Sequence, residues 1–407
     1  MEGQSFCVLP WVHCHVNTQG GVRACCISPV ELGNLRRETL SQIWRGDAMH
    51  RFRAQHLSGQ PVAACRRCYV EEAAGNRSLR QIANQEYGGR AADWVDGSDA
   101  EGRSPLSRPI DYDIRFSNVC NLKCRSCGHA FSSSWFTDAK EIWGITAGPK
   151  AIIRAFDSSD EFWGAFDGFV DDVQKITFAG GEPLLNDQHY EVLAALRARG
   201  KLDVFIYYLT NFTVLDHGGV DVTTLWRDFS NLHVQASLDG TGARGELLRH
   251  GQSWPVILDN RERLRRQCPG VKFRVSCTVG ALNAWHLPDL HRELIETGFI
   301  DPDQLEVNIL HEPSHLGAQI LPAAFKQHVA ARIDDHIAWL QRFGARAGTA
   351  PEALQAVIVE LRSFAQYMLA ADQSSRLRHF RRFCELLDER RGENTAAVFP
   401  EVASLLS

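Results

Sequence analysis

The sequence predicts an α/β protein in three parts: a small cysteine-rich domain of hairpin and helix, a partial (β/α)6 barrel, and a helical carboxyl-terminal region. The main observation is that strand-like and helical runs alternate from Ile110 onward, which is typical of parallel βαβ units. A second observation is that nine of the twelve cysteines lie before residue 128. The predicted divisions are a cysteine-rich domain at residues 1–75, a linker at 76–108, the barrel at 109–320 and the helical region at 321–407.

Length, composition and charge are those of an ordinary globular chain. The 407 residues are 44% hydrophobic and 23% charged, and 44 basic against 49 acidic side chains give a net charge of −5. This balance offers no basic stripe of the kind that binds nucleic acids. No apolar run approaches the ~20 residues of a membrane helix, and residues 1–5 lack a secretory signal. We therefore expect a cytoplasmic protein with no membrane or nucleic-acid partner, whose cysteines stay reduced and available to metals.

The cysteine-rich segment combines a hairpin with a C-x2-C pair. Val12–Val16 and Val22–Cys26 flank a glycine turn, which predicts a hairpin. Leu40–His56 has the apolar spacing of one helix, capped by Thr39 or Ser41. On spacing alone, an iron–sulfur cluster and a structural zinc ion are equally compatible with the thiolates of this segment. The candidate ligands are Cys7, Cys25 or Cys26, Cys65 and Cys68.

Six strands and their helices follow a polar linker that predicts only one short helix, near Arg77–Gln85. The strands are expected at Ile110–Phe116, Val173–Phe178, Val204–Leu209, Leu232–Leu238, Phe273–Val279 and Leu305–Leu310. Helices are expected at Tyr190–Arg199, Val256–Gln267, Leu287–Thr297, Phe325–Phe343, Pro351–Leu369 and Ser375–Leu387. Because reactive groups of such barrels sit at the carboxyl ends of the strands, the residues that follow each strand are the candidate site.

Three cysteines with C-x3-C-x2-C spacing follow the first of these strands. Cys120, Cys124 and Cys127 can surround one point, and soft thiolates select iron–sulfur clusters, zinc or copper(I). A structural tetrahedral site is normally closed by a fourth ligand, whereas an open position is typical of a site that performs chemistry. The loop therefore predicts a metal centre with one vacant coordination position.

Polar groups also follow the next three strands. Gly180–Pro183 has two glycines, which permit close backbone approach, and it adds the Glu182 carboxylate. Asn211 follows the third strand, and Ser237 and Asp239 end the fourth. Three such turns beside a three-thiolate loop favour one shared site over three ordinary turns.

These motifs resemble the radical S-adenosylmethionine (radical SAM) family, whose fold is a partial (β/α)6 barrel with C-x3-C-x2-C after the first strand. The resemblance covers roughly residues 110–315 and rests on the cysteine loop and the Gly-Gly-Glu-Pro motif. It implies that Cys120, Cys124 and Cys127 hold a [4Fe–4S] cluster whose fourth iron binds S-adenosylmethionine. Ser126 departs from the family, in which many members have an aromatic residue there. The implied S-adenosylmethionine contacts are Gly180, Gly181, Glu182, Pro183, Asn211, Ser237, Asp239 and Arg249.

The cysteine-rich segment is similar to the SPASM and twitch domains that accompany many radical SAM enzymes. The similarity lies in Cys7, in Gly20-x4-Cys25 and in Cys65-x2-Cys68. Its six cysteines suit a single-cluster, twitch-like domain better than the two clusters of a full SPASM domain. The resemblance shifts the balance from zinc towards an auxiliary iron–sulfur cluster.

The implied activity is reductive cleavage of S-adenosylmethionine to a 5′-deoxyadenosyl radical, which abstracts a substrate hydrogen. We expect a small substrate of the sugar or cyclitol kind, oxidised with the help of the auxiliary cluster, and an electron donor such as a flavodoxin or ferredoxin. A peptide or protein substrate is the alternative, and a non-catalytic iron–sulfur or zinc protein is the alternative of another class. No catalytic acid or base is assigned, although His311, Glu312 and His315 follow the sixth strand. The last predicted helix carries a basic face, expected to be solvated, of Arg376, Arg378, Arg381 and Arg382.

Overall fold

The computed structural model describes residues 5–73, 77–144 and 150–406. The predicted α/β fold with a parallel sheet and a helical carboxyl-terminal region is confirmed. Residues 1–4, on which part of the secretory-signal prediction depends, and the predicted domain boundary at 75–76 lie outside the described residues. Within the described ranges, no helix combines the length and apolar character needed to cross a membrane.

All six predicted barrel strands form, and each begins and ends within two residues of its predicted bounds. The strands are β1 (His13–Val16), β2 (Gly21–Arg23), β3 (Gly33–Asn34), β4 (Asp111–Ile114), β5 (Lys123–Cys124), β6 (Lys175–Phe178), β7 (Phe205–Thr210), β8 (Asp216–His217), β9 (Val220–Asp221), β10 (Leu232–Ser237), β11 (Arg249–His250), β12 (Lys272–Val279) and β13 (Leu305–Ile309).

The helices between and after the strands include every one that the sequence predicts; Pro351–Leu369 has the predicted bounds, and the others of the barrel and the carboxyl-terminal region differ by a few residues. They are α1 (Leu9–Val12), α2 (Leu40–Trp44), α3 (Asp47–Leu57), α4 (Arg66–Ala73), α5 (Leu79–Asp96), α6 (Phe136–Trp143), α7 (Ser159–Ala165), α8 (Phe169–Asp172), α9 (Asp187–Ala198), α10 (Thr223–Trp226), α11 (Gly242–Leu248), α12 (Trp254–Gln267), α13 (Leu287–Glu296), α14 (Ala323–Ala347), α15 (Pro351–Leu369), α16 (Leu377–Arg391), α17 (Thr395–Val398) and α18 (Ala403–Leu406).

Two helical expectations in the amino-terminal part need correction. The predicted helix Leu40–His56 is two helices, α2 and α3, because Gly46 adopts an extended conformation and serves as the N-cap of α3. Thr39 caps α2 as expected, in a capping box with Gln42. The predicted short helix in the linker is an 18-residue helix, α5, which a second capping box begins at Ser78.

The chain forms two compact units, which we describe separately. Unit 1 comprises residues 1–119, 152–209 and 216–232, and unit 2 comprises residues 120–151, 210–215 and 233–407. The boundaries of these units differ from those of the three predicted domains and the linker, which remain a prediction from the sequence.

The sheet of unit 1 has the order β3-β2-β1-β4-β6-β7. β1 and β2 form the predicted antiparallel hairpin. β1 also pairs in parallel with β4, from His13 opposite Asp111 to Val16 opposite Ile114. The cysteine-rich hairpin therefore continues the parallel sheet of unit 1, an arrangement that the sequence analysis did not predict.

Two histidine–aspartate pairs bridge β1 and β4 on one face of this sheet. His13 Nδ1 lies 3.1 Å from Asp111 Oδ2, and His15 Nδ1 lies 2.9 Å from Asp113 Oδ2. All four side chains are buried. Burial alone would raise the pKa of Asp113, but Arg115 and His15 outweigh burial and hold this pKa well below its usual range. The pairs thus bring histidine and carboxylate groups together where the two strands meet, and the His15–Asp113 pair forms a hydrogen bond.

The opposite face of the unit 1 sheet carries the apolar core. Tyr112 of β4 contacts Phe166 and Phe169, with ring centroids 6.2 and 5.5 Å apart. Phe178 of β6 contacts Tyr208 of β7 at 5.2 Å. Strict alternation of side chains along each strand directs these rings to one face and the His–Asp pairs to the other.

The turn after β6 requires both of its glycines. Gly180 has φ 81° and Gly181 has φ 47°, which is left-handed backbone that other residues rarely adopt. A methyl group on Gly181 would overlap the Val119 carbonyl oxygen and lie 2.8 Å from the Asn118 carbonyl carbon. Glu182, directly after the turn, is fully buried, and its backbone N–H donates to the Val119 oxygen at 2.7 Å. The close backbone approach expected of this motif is therefore present within unit 1.

Unit 2 contains the parallel strands β10, β12 and β13 in that order, and the separate antiparallel pair β5 and β11. α14 packs against α15, and α15 contacts β13. Between α13 and α14 lies a buried histidine pair, in which His291 Nδ1 is 3.0 Å from His336 Nε2. Burial, followed by the effect of His336, lowers the pKa of His291 well below its ordinary value. Burial, followed by the effect of Arg292, lowers the pKa of His336 to about 4.

We predict that this histidine pair makes unit 2 less stable in mild acid. Both histidines have a lower pKa in the folded state than in the unfolded state. Their contribution to the free energy of unfolding is therefore complete above about pH 6.5 and falls as the pH drops below that value. The expected loss is about 1 kcal/mol per histidine between pH 7.5 and 5.5. Thermal unfolding across this range measures it. His336→Gln should flatten the dependence, and an unchanged slope in that variant would contradict the assignment.

We also predict that Gly181→Ala destabilises unit 1, because the added methyl group overlaps backbone atoms and the left-handed conformation disfavours alanine. The expected loss in the free energy of unfolding is about 2 kcal/mol or more. Gly164→Ala is the matched control, since Gly164 lies in α7 with open space around its Cα. That control should be neutral or slightly stabilising. Equal melting temperatures for the two variants would count against a requirement for glycine at 181.

Candidate metal and cofactor site

Four cysteines of unit 1 line one cavity. These cysteines are Cys7, Cys25, Cys65 and Cys68, and the cavity has a volume of about 20 Å³. They come from four places: the segment before α1, the end of the hairpin, and the two sides of the start of α4. In the part of the chain that the structure describes, no three His, Cys, Asp or Glu side chains converge closely enough to hold a single metal ion. The four thiols thus line a shared cavity but do not converge on the position of a single metal ion.

The environment of these thiols is apolar. Burial, followed by the effect of nearby thiols, raises the pKa of Cys25 to about 12 and the pKa of Cys65 to about 11. Leu9, Ile27 and Leu79 form other parts of the wall. Loss of the thiol protons here needs a compensating positive charge, which a bound metal supplies. The donor set and its surroundings therefore fit an iron–sulfur cluster.

The spacing of the cysteines in the sequence leaves open whether Cys25 or Cys26 is the candidate ligand. The structure distinguishes the two. Cys25 lines the cavity, whereas Cys26 is exposed and lies outside it. The charged groups that act on Cys26 are first Asp113 and then Arg115. The geometry favours Cys25 as the fourth member of the set.

Two residues beside this cavity were not found from the sequence. His56 Nε2 lies 3.7 Å from Cys65 Sγ, and burial lowers the pKa of His56 to about 4. Arg80 lines the cavity and donates from Nε to Glu72 at 2.9 Å. Both lie on helices without a recognisable motif, α3 and α5, so only the folded chain brings them to the cysteines.

Unit 2 brings together the three cysteines of the C-x3-C-x2-C loop. Cys120 and Cys124 are buried around Leu122, and Cys127 packs against them. Cys124 belongs to β5, which pairs with β11 so that Cys124 lies opposite Arg249. A hydrogen bond with Cys127, helped by Arg249, lowers the pKa of the Cys124 thiol. The Cys124 thiol, whose pKa is lowered, therefore lies next to the buried cation Arg249.

Three predicted contact residues approach this loop. Arg249 Nη1 lies 3.8 Å from Cys124 Sγ, and Asn211 Nδ2 lies 3.8 Å from Cys120 Sγ. Asp239 holds Arg249 through an ion pair of 2.8 Å. Both nitrogen atoms can donate weak hydrogen bonds to sulfur, which is a recognised way of tuning iron–sulfur clusters.

A small cavity of about 20 Å³ lies beside the same loop in unit 2. Its polar lining includes Ser126, Asp239, Thr278 and Asn283. The Thr278 N–H donates to Asp239 at 2.8 Å, and the Asn283 amide donates to the Asp239 carbonyl at 3.1 Å. Ser237 does not line this cavity and is half-buried in β10, opposite Ser276. Of the two residues predicted at the end of β10, only Asp239 is therefore at the cavity.

A buried arginine anchors the cysteine loop. Arg125 is 1% exposed and lies between the second and third cysteines of the loop. Its Nη2 atom is 2.6 Å from both Asp388 of α16 and Glu393 just after that helix. Glu393 also pairs with His250 of β11 at 2.6 Å. Because α16 extends four residues beyond its predicted end, this anchor was not visible in the sequence.

Gly180–Pro183 belongs to unit 1, where the tight glycine turn and the buried Glu182 described above are its structural features. His311 and His315, considered after the sixth strand, contact Tyr367 and Phe383 at centroid distances of 4.9 and 5.1 Å. Neither histidine lines the cavity beside the cysteine loop.

Comparisons with known proteins match the amino-terminal cysteines to a described domain. Residues 7–69 match the SPASM family, described as an iron-sulfur cluster-binding domain. No curated protein matches the chain.

Among solved structures, hexahistidine-tagged anSMEcpe with bound AdoMet is 17% identical with a TM-score of 0.41, over 58% of this chain and 59% of that chain. Native anSMEcpe with bound AdoMet and Cp18Cys peptide is 18% identical with a TM-score of 0.39, over 58% and 60%. Streptococcus suis SuiB bound to S-adenosylmethionine is 15% identical with a TM-score of 0.33, over 57% and 48%. The chain thus matches less than two thirds of each of these proteins. The match at residues 7–69 confirms the predicted SPASM-like iron–sulfur domain in this chain.

Proposed function

We propose that the chain is a radical S-adenosylmethionine enzyme in which Cys120, Cys124 and Cys127 ligate a [4Fe–4S] cluster. The observation that carries this proposal is the gathering of the three thiols in one buried loop, beside a cavity with polar and apolar walls. Three thiolates leave one iron of a four-iron cluster open to another ligand. The Gly-Gly-Glu-Pro motif of unit 1 supports the same family, and the roles of its residues and of Ser237 as contacts remain predictions.

The surroundings of the loop fit such a cluster. Arg249 and Asn211 direct N–H groups at two of the sulfur atoms, and the charge of Arg249 offsets the negative charge of thiolates. Asp239 and Arg125 are buried, and each is held by several partners, which together with the β5–β11 pairing fix the position of the loop. Burial of Cys120 and Cys124 also limits the access of water to the site, whereas Cys127 is half-buried.

When bound, the reduced cluster supplies one electron that cleaves S-adenosylmethionine to methionine and a 5′-deoxyadenosyl radical, which abstracts a substrate hydrogen. The chain's own residues bind and orient: Asp239 fixes Arg249 against the loop, and Thr278 and Asn283 fix Asp239. Ser126 lines the same cavity together with the apolar side chains of Leu248, Leu310 and Leu316, so the wall has both polar and apolar parts.

We further propose that Cys7, Cys25, Cys65 and Cys68 ligate an auxiliary cluster. The proposal is supported by the four-cysteine cavity and by the SPASM match over residues 7–69. With all four thiolates used, this cluster has no vacant iron, so its role is electron transfer or structural support. The narrower proposal for the substrate is a small molecule of the sugar or cyclitol kind, with a flavodoxin or ferredoxin as electron donor.

We predict that the anaerobically reconstituted protein, given dithionite, converts S-adenosylmethionine to 5′-deoxyadenosine even without substrate. Cys124→Ala should abolish the product, because it removes one of the three ligands of the open cluster. Cys268→Ala is the matched control, since Cys268 is also buried but belongs to neither cysteine set. Chromatographic detection of 5′-deoxyadenosine is the measurement. A reconstituted protein that binds iron but forms none of this product would refute the enzyme class.

We predict different iron contents for two neighbouring cysteine variants. The wild-type protein should hold about eight irons per chain, Cys25→Ala about four, and Cys26→Ala about eight, because only Cys25 lines the cavity. Iron analysis with Mössbauer spectroscopy of each variant decides the matter. Equal losses in both variants, or tightly bound zinc in place of half of the iron, would overturn the auxiliary-cluster assignment.

A further inference from the structure

A second, larger cavity of unit 2 lies between α16 and the segment that follows β13. It is open to solvent, has a volume of about 370 Å³ and is lined by no described residue of the cysteine loop or of the cavity beside it. One wall carries His315, which follows the sixth strand, and the other carries Arg376, His379 and Arg382. The fold thus brings one polar residue after β13, His315, next to part of the basic face of the last long helix.

The polar lining of this cavity is cationic. Its charged residues are two arginines, Arg376 and Arg382, and no carboxylate is among the described residues that line it. Arg376 donates to Ser314 Oγ at 2.7 Å, which uses one of the five N–H donors of its guanidinium. Arg382 has a carboxylate, Glu385, at 3.5 Å, but both side chains are more than half exposed. Such an exposed pair is weak and leaves the arginine available to another anion.

The remaining walls are aromatic and apolar. Phe383 is 6% exposed and meets His315 edge to face, with centroids 5.1 Å apart. Trp143 is 49% exposed and stacks on the fully buried Trp135 at 5.6 Å, which fixes the orientation of its ring. A large exposed aromatic surface next to arginines is typical of sites that bind an apolar or planar group together with an anion.

We propose that this cavity binds a small organic anion, a carboxylate or a phosphate ester carried on an apolar or planar body. The two guanidinium groups bind the anion through charge-assisted hydrogen bonds, for which their planar fork is suited. His315 and His379 add hydrogen-bonding groups at the same wall, and Trp143 and Phe383 contact the body of the ligand. This site does not depend on the proposed radical chemistry, because it shares no lining residue with the cavity beside the cysteine loop in the described part of the chain.

The test is a binding titration with four probes, monitored by calorimetry and by line broadening in the ligand NMR spectrum. Phenyl phosphate and benzoate carry an anion on an aromatic ring, whereas inorganic phosphate and phenol carry each part alone. Phenyl phosphate or benzoate should bind more tightly than either fragment. The tighter of the two identifies the anion as a phosphate ester or a carboxylate.

Variants decide whether binding occurs in this cavity. The double change Arg376→Gln with Arg382→Gln should weaken binding of the aromatic anions at least about tenfold. Arg378→Gln is the matched control, because Arg378 lies on the same helix, is exposed and does not line the cavity. Trp143→Ala should weaken phenyl phosphate but leave inorganic phosphate unchanged. It also tests the site if the double variant does not fold.

The proposal is overturned if no aromatic anion binds at about 10 mM, or if Arg378→Gln weakens binding as much as the double change. It is also overturned if phenol binds as well as phenyl phosphate. None of these titrations needs S-adenosylmethionine or a reductant, so their failure is distinct from failure of the proposed enzyme activity.

Discussion

The parallel pairing of β1 with β4 is the contact on which unit 1 depends. Each strand has only four residues, so the register has little backbone bonding to define it. The two His–Asp bridges also specify the register of β1 against β4. A slip of one residue would turn His13 and His15 towards the apolar face, where Tyr112 and Ile114 point, and would leave buried charges without partners. Such a slip is costly because breaking a buried, paired charge costs several kcal/mol.

Much of the fold was readable from the sequence because the relevant signals are local. The six strands have runs of apolar and β-branched residues, and the cysteine and glycine motifs lie at their ends. The conformation of Gly181 also follows from its motif, since a turn that brings the chain against Val119 leaves no room for a side chain. These features need only a few neighbouring residues to be recognised.

The contacts that the sequence did not reveal join residues far apart in the chain. Arg125 finds Asp388 and Glu393, more than 260 positions later, and nothing in the spacing of any of them marks the association. The choice between Cys25 and Cys26 is of the same kind, because it depends on which way the chain turns after β2. Gly46 is a local feature that the sequence pattern concealed. The apolar spacing of one helix continues across this glycine, but the chain forms two helices there. Pairings of this kind are decided by tertiary packing, which local patterns do not encode.

Helix α16 has two roles in unit 2. Arg376 just before it, and Arg382 and Phe383 on it, line the cationic cavity, while Asp388 near its end anchors the arginine of the cysteine loop. A rigid helix that contacts both regions links their positions mechanically. The same helix meets Asp138 through Arg391, a pair in which both side chains are almost fully buried. The carboxyl-terminal region is thus a structural support of the loop.

The pairing of β1 with β4 also has a consequence for synthesis of the chain on the ribosome. Val16 is made first, but its partner Ile114 emerges about 100 residues later, after a delay of about 5 to 20 s. During this interval all the cysteines up to Cys68 have left the ribosome, while β1 still lacks the strand that completes its sheet. The nascent hairpin therefore has an unpaired edge and accessible thiols at the moment when the cell's cluster-assembly and chaperone proteins first meet it.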